Sequence, residues 1–217
     1  MMAQQTHQEH QPNFVERIMI KTFAKPEGLL GRIGGYILAM EKRELIAWLI
    51  DLLNVRAHER VLEVGFGPGV AIAALSVKAA HVAGVDISDV MVEQARARNA
   101  QAIAAGRVEL HQGSADRLPF TDNSFDKALS INSIQIWPDP AAGLREIHRV
   151  LKPRGRLALG FVWPMLPFVD EAERLLAEAG FVTIRREVNK QEVNKQEVNK
   201  QGDKGAKEIA LLAAKPA

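Results

Sequence analysis

From Asn13 to Lys25 the apolar residues Phe14, Val15, Ile18 and Met19 recur at helical spacing. Glycines 28, 31, 34 and 35 interrupt that pattern. A second helix is predicted over 36–53, its stripe made by Ile37, Met40, Leu45, Trp48, Leu49 and Leu52, with Asn54 as its C-terminal cap. Short apolar runs and helical stretches then alternate. Strands are predicted over 60–64, 81–85, 108–111, 125–131 and 156–162, then 182–188 and 208–214. Helices are predicted over 70–80, 89–105, 141–151 and 169–179, with Ser88 capping the second and Asp139–Pro140 opening the third. Strands separated by helices imply a parallel sheet covered on both faces. The expected fold class is therefore α/β, a Rossmann-like, seven-stranded, mostly parallel sheet with helices on both faces.

Two stretches fall outside this alternation. Residues 1–12 are rich in Gln and His, with almost nothing to bury, and read as a disordered tail. Residues 187–201 are three exact copies of Glu-Val-Asn-Lys-Gln. A period of five matches neither a helix nor a strand, so the repeat reads as a tolerant loop between the last two strands. The expected organisation is a tail at 1–12, an N-terminal helical lid at 13–54, and a cofactor-binding domain at 55–217 carrying a repeat loop at 187–201.

Composition narrows the class. A chain of 217 residues supports one α/β domain with a full core. With 47% hydrophobic and 25% charged residues it is ordinary for a globular protein. The net charge of +2 is spread along the chain without a basic run, which disfavours a nucleic-acid partner. The absence of cysteine removes disulfides, thiolate metal sites and cysteine nucleophiles, and fits a cytoplasmic location. The polar first residues lack the apolar core of a signal peptide. No uncharged apolar run reaches the roughly 18 residues that span a bilayer, so stable membrane insertion is not expected. The two histidines of the tail make a poor metal site, and no metal is expected.

The chemistry concentrates in Val61-Leu62-Glu63-Val64-Gly65-Phe66-Gly67-Pro68-Gly69. Here a buried strand must turn sharply into a helix, at the carboxyl edge where open α/β sheets bind ligands. The dinucleotide fingerprint fails by count, because Val70 stands where its third glycine belongs. A phosphate-binding Gly-Lys-Ser/Thr is absent as well. What remains is an acid followed by Gly-x-Gly-x-Gly. The carboxylate of Glu63 would repel a pyrophosphate and suits a cationic ligand. S-adenosylmethionine (SAM), with its ammonium and sulfonium, meets that requirement. Asp86, about 20 residues on, stands where an acid accepts from both ribose hydroxyls, whether of NAD or of SAM.

From about Arg56 to Phe181 the chain resembles the class I SAM-dependent methyltransferases, in the small-molecule branch similar to ubiquinone/menaquinone biosynthesis methyltransferases. The resemblance is carried by the acid–glycine loop, Val85-Asp86-Ile87-Ser88, Leu118-Pro119-Phe120 with Phe125-Asp126, and Arg149-Val150-Leu151-Lys152-Pro153. It implies that Glu63, Gly65, Gly67 and Gly69 approach the methionine moiety, with Asp86 on the ribose and Ile87 against adenine. It also implies an antiparallel last strand. Where relatives carry Gly-Asp-Ala this chain has Gly113-Ser114-Ala115, so Ser114 offers a shorter, neutral acceptor beside Ala115. Asn132, ending the fourth strand, lines the methionine end.

For the acceptor the resemblance points to Gln135 and Trp137 after the fourth strand; Trp163, after the fifth, and Tyr36, just after Gly34-Gly35 in the lid, are further candidates by position. For Trp163, core filling weighs as much as substrate contact. His111 and His148 read as packing residues. Displacement at a sulfonium depends chiefly on positioning, so no general base is assigned. The expected function is SAM-dependent methyl transfer to a small molecule. A phospholipid methyltransferase and a non-catalytic SAM-binding regulator are the alternatives, with an NAD oxidoreductase behind them.

Overall fold

The computed structural model describes residues 43–162, 165–189 and 208–217. Strands β1 (Arg60–Val64), β2 (His81–Asp86), β3 (Val108–Gln112), β4 (Phe125–Ile131), β5 (Leu151–Val162), β6 (Val182–Val188) and β7 (Glu208–Ala214) form one sheet in the order β3-β2-β1-β4-β5-β7-β6. Pairings from β3 to β5 are parallel. β7 runs antiparallel between β5 and β6, as the resemblance implied. The order reverses between β1 and β4, and such a switch point opens a crevice at the carboxyl ends of the strands.

Two apolar layers enclose the sheet. Helices α1 (Arg43–Leu53), α2 (Val70–Ser76), α3 (Asp89–Arg98) and α4 (Ala100–Ala104) cover one face through Leu49, Ile72 and Ala95, which pack with Val61, Val82 and Leu129. Helices α5 (Pro140–Val150) and α6 (Val169–Glu178) cover the other through Leu144, Ile147 and Leu176, which pack with Leu62, Phe125 and Leu157. The capping residues behave as their types require. Asn54 takes a positive φ of 54° after α1, Ser88 accepts from the amide of Met91, and Asp139 accepts from Ala142 ahead of Pro140.

Several boundaries differ from the sequence expectation. The helix expected over 89–105 breaks at Asn99, whose Nδ2 donates to the carbonyls of Ala95 (2.8 Å) and Gly69 (3.2 Å). Its side chain shares the Ala95 carbonyl with its own backbone N–H (3.0 Å) and ties this point of the chain to the glycine loop. β5 begins at Leu151 rather than 156, because Leu151 pairs with Phe125 before a bulge at which Arg154 adopts φ 64°. The repeat, expected to form a loop over 187–201, overlaps the strand expected over 182–188, and its first two residues belong to the strand. Glu187 and Val188 pair with Ala210 and Ile209, and Asn189 Nδ2 donates to the Glu208 carboxylate at 2.6 Å. The remaining repeat residues, 190–201, lie outside the described residues, as do the expected tail and most of the expected lid.

Because the first copy alone supplies those pairings, deleting residues 192–201 is expected to change stability by less than about 1 kcal/mol, the scale of loop-closure entropy. Chemical denaturation of the full chain and of the deletion variant checks this.

Two of the recurrent motifs prove to be braces. Arg149 donates to the carbonyls of Phe120 (2.8 Å) and Leu118 (3.2 Å) and pairs with Asp122 and Glu146. It thereby holds the Leu118-Pro119-Phe120 segment against α5. Asp126 accepts from the amide of Arg60 (2.8 Å) and from Lys152 Nζ (2.7 Å), joining β4 to its neighbours.

Candidate active site

The glycine loop leaves β1 at the switch point. Gly65, Gly67 and Gly69 all have positive φ, at 74°, 52° and 76°. At Gly65 a Cβ would fall inside 3.0 Å of Ser133 Oγ and Cβ, so this glycine is required by close approach as well as by conformation. At Gly67 a Cβ would meet nothing within 4 Å among the described residues, so these leave the loop bare on that side. The loop is anchored at four points. The Gly65 amide donates to Val85 O (2.8 Å), and the Gly67 amide to Asp86 Oδ2 (2.8 Å). Arg98 Nε donates to Pro68 O (2.9 Å) and Asn99 Nδ2 to Gly69 O (3.2 Å). Sequence reading missed Arg98 and Asn99. The pattern gave no signal for them, since both fall inside the helix expected over 89–105 and the helix ends at Arg98 only in the structure.

Glu63 and Asp86 share a sheet face, since Glu63 pairs with Gly84 and side chains alternate along a strand. Glu63 is 2% exposed, and its Oε2 has no hydrogen-bond partner among the described residues. Burial, then the neighbouring charge of Asp86, pushes its carboxyl well above the usual range, with the Ile72 amide opposing. Asp86 is 9% exposed. Its Oδ2 accepts from Gly67 and its Oδ1 from Ser88 (2.9 Å). Burial raises its pKa, and those two amides oppose the shift. Asp86 therefore staples the glycine loop to β2 while each oxygen keeps a free lone pair.

The remaining predicted residues are distributed around this pair. Ile87 stands 51% exposed beyond the end of β2, a large apolar side chain facing solvent beside the loop. Ser114 Oγ is buried without a partner among the described residues. Ala115 is buried in the core, near the ring of Trp137 and Gly143. Asn132, with φ 48°, bridges β4 and β5. Its amide donates to Gly160 O, and its Oδ1 accepts from Val162 N (both 2.9 Å). Gln135 donates to Asn132 O (2.7 Å) and leaves Oε1 buried and unpaired. Trp137 donates Nε1–H to Ser133 Oγ (3.2 Å). Tyr36 and Trp163 lie outside the described residues. His111 meets the Phe120 ring edge-on at 5.4 Å, and His148 meets Phe181 at 5.1 Å. Among the described residues no cluster of His, Asp and Glu could hold a metal ion, and no helix is long and apolar enough to cross a membrane.

A parallel switch-point sheet, a bare glycine turn and a buried acid with unspent hydrogen-bonding capacity define a Rossmann-like domain built for a cationic cofactor. A family model described as a methyltransferase domain matches residues 62–159. The uncharacterized methyltransferase YdaC of Bacillus subtilis (strain 168) is 36% identical over 129 residues, covering 58% of this chain and 69% of that protein. A demethylmenaquinone methyltransferase of Corynebacterium kroppenstedtii is 40% identical over 116 residues, covering 53% of this chain and 47% of its own length. The chain thus spans about half of that second relative. A SAM dependent methyltransferase from Aquifex aeolicus of solved structure has the same fold, with a TM-score of 0.63 at 20% identity, covering 78% of this chain and 88% of that one. The chain belongs to the SAM-dependent methyltransferase family.

Proposed function

We propose that this chain transfers the methyl group of SAM to a small-molecule acceptor of the cytoplasm. The observation that carries the reading is Glu63, whose carboxylate oxygen is buried and unpartnered beside Asp86. A protein tolerates such a group when a bound donor satisfies it. SAM supplies an activated methyl on a sulfonium, together with an ammonium that Glu63 suits.

In this reading Glu63 and the bare turn of Gly65, Gly67 and Gly69 receive the methionine end, with Asn132 at its far side. Asp86 uses its spare lone pairs on the ribose hydroxyls. Ile87 covers the adenine, while Ser114 offers its hydroxyl and Ala115 its backbone to the edge of the base. Gln135, Trp137, Tyr36 and Trp163 bound the acceptor. These residues bind, orient and exclude water, and orientation alone is worth roughly 7–11 kcal/mol of a displacement barrier. No base is assigned: one is needed only where the acceptor must lose a proton, and the sequence shows no convincing candidate. The lid and domain division at 13–54 and 55–217 belongs to the same proposal.

A small acceptor is supported by the demethylmenaquinone methyltransferase among the relatives. Incubating the full chain with methyl-labelled SAM and a metabolite library tests the reading. Label is expected in a low-molecular-weight product. SAM binding with no transfer to any pool would instead identify a cofactor-binding regulator, and transfer confined to phospholipid would identify a lipid enzyme.

A further inference from the structure

The Ser133 hydroxyl is spent entirely on its own protein. It donates its one hydrogen to Val64 O at 3.0 Å. Its oxygen lies 2.7 Å from Ser130 Oγ and 3.2 Å from Trp137 Nε1. With the hydrogen committed to Val64, Ser133 accepts from both others, and Ser130 is the donor of that pair. One proton and two lone pairs are thus all in use, on a side chain that is itself buried. No capacity is left for a ligand.

Each of those three bonds leads somewhere useful. Val64 O belongs to the peptide unit that enters the glycine loop, and the face of Gly65 rests directly on Ser133. Ser130 anchors the hydroxyl to β4. Trp137 is gripped from the other side as well, because a Cβ on Gly143 would lie 2.5 Å from its Cε3. The indole is therefore fixed at its N–H by Ser133 and along its six-membered ring by α5. Among the described residues Ser133 receives the hydrogen bond of that N–H.

We propose that Ser133 is a positioning residue that couples the cofactor loop to Trp137, so that a ligand bound against Gly65 is registered at the acceptor wall. The inference rests on the reading that the glycine loop holds SAM. The four other anchors of the loop do not involve Ser133. Removing its hydroxyl should therefore free Trp137 while leaving the loop in place.

The test is an indole ¹⁵N–¹H spectrum of the full chain titrated with S-adenosylhomocysteine, followed in parallel by calorimetry. The chain has three tryptophans, and W137F identifies the relevant signal by its loss. In the wild type the Trp137 signal is expected to move on titration. In S133A it starts displaced and no longer responds, while the dissociation constant changes by less than about threefold, as for one modest hydrogen bond. S130A, which leaves the bond from Trp137 to Ser133 intact, is expected to retain the response. A Trp137 signal that stays still in the saturated wild type overturns the coupling, whether or not S133A folds. An equal response in S133A overturns it too. No calorimetric binding at all would instead defeat the underlying reading of the loop, and the coupling with it.

Discussion

Replacing Glu63 with glutamine is expected to weaken SAM binding about a hundredfold while raising the stability of the ligand-free fold near neutral pH. The affinity loss follows from removing a buried charge aimed at a cationic ligand, where a charge-assisted hydrogen bond is worth about 1.5–3 kcal/mol. The stability gain follows from the same burial. Burial first, and the charge of Asp86 second, hold the folded pKa of Glu63 well above that of an ordinary carboxylate. The folded chain then retains a proton that the unfolded chain has released. The stabilisation from that group is complete below the ordinary carboxylate pKa and is lost as pH rises through the raised, folded value. Wild-type melting temperature should fall across that window, and E63Q should lack this component. Each kcal/mol corresponds to about 2–4 °C in a chain of this size. Thermal scans of both proteins across pH, without ligand, check the direction. A variant that binds weakly because it is damaged would be less stable at every pH.

The second large effect separates two neighbouring glycines. Gly65→Ala is expected to destabilise the fold by about 2–5 kcal/mol. The positive φ accounts for about 1–2 kcal/mol, and forcing a methyl into a filled space for about 1–3 kcal/mol. That methyl would displace Ser133 and break into its bonds with Val64, Ser130 and Trp137. The melting temperature should drop by about 10 °C. Gly67→Ala pays only the conformational cost, about 1 kcal/mol, because its Cβ enters open space. That open space is where the cofactor is proposed to lie, so Gly67→Ala should lose SAM affinity out of proportion to its stability. Paired thermal scans and SAM titrations distinguish the two variants. Equal losses of stability and affinity at both positions would contradict the geometry of the loop.

Most of the architecture was legible along the chain. The alternation of apolar runs with amphipathic helices marked every strand of the sheet, and the bounds of β4, β6 and β7 agree with the pattern. Strong local signals made this possible, such as Ser88 and Asp139 as caps. The antiparallel β7 came from the family resemblance, since no periodicity carries strand direction. The break at Asn99 was hidden because its partner, Gly69, lies thirty residues away in sequence. The strand predicted over 182–188 and the loop predicted over 187–201 overlap at Glu187 and Val188, and both residues belong to β6, paired with Ala210 and Ile209.

In the site, the sign of Glu63 could be read from sequence, but the upward push on its pKa could not. That follows first from its burial and then from Asp86 sharing its sheet face, a consequence of the pairing of β1 with β2. Ser133 carries the same lesson further. Its hydroxyl acquires its partners only because β4 lies beside β1, which makes it a junction that no local pattern marks. Trp137 likewise spends its indole N–H on Ser133, and what it can offer an acceptor is the face and edge of its ring.

The central claim is that Glu63 receives the cationic end of SAM. Calorimetric titration of the full chain with SAM, in two buffers of different ionisation enthalpy, tests it most directly. A carboxyl whose pKa is raised in the free protein and that is ionised against a bound cation releases protons on binding at pH values below that raised pKa. The observed heat should therefore depend on the buffer in the sense of proton release by the wild type, and that dependence should vanish in E63Q along with most of the affinity. Tight SAM binding with no proton release, and with equal affinity in E63Q, would contradict the account.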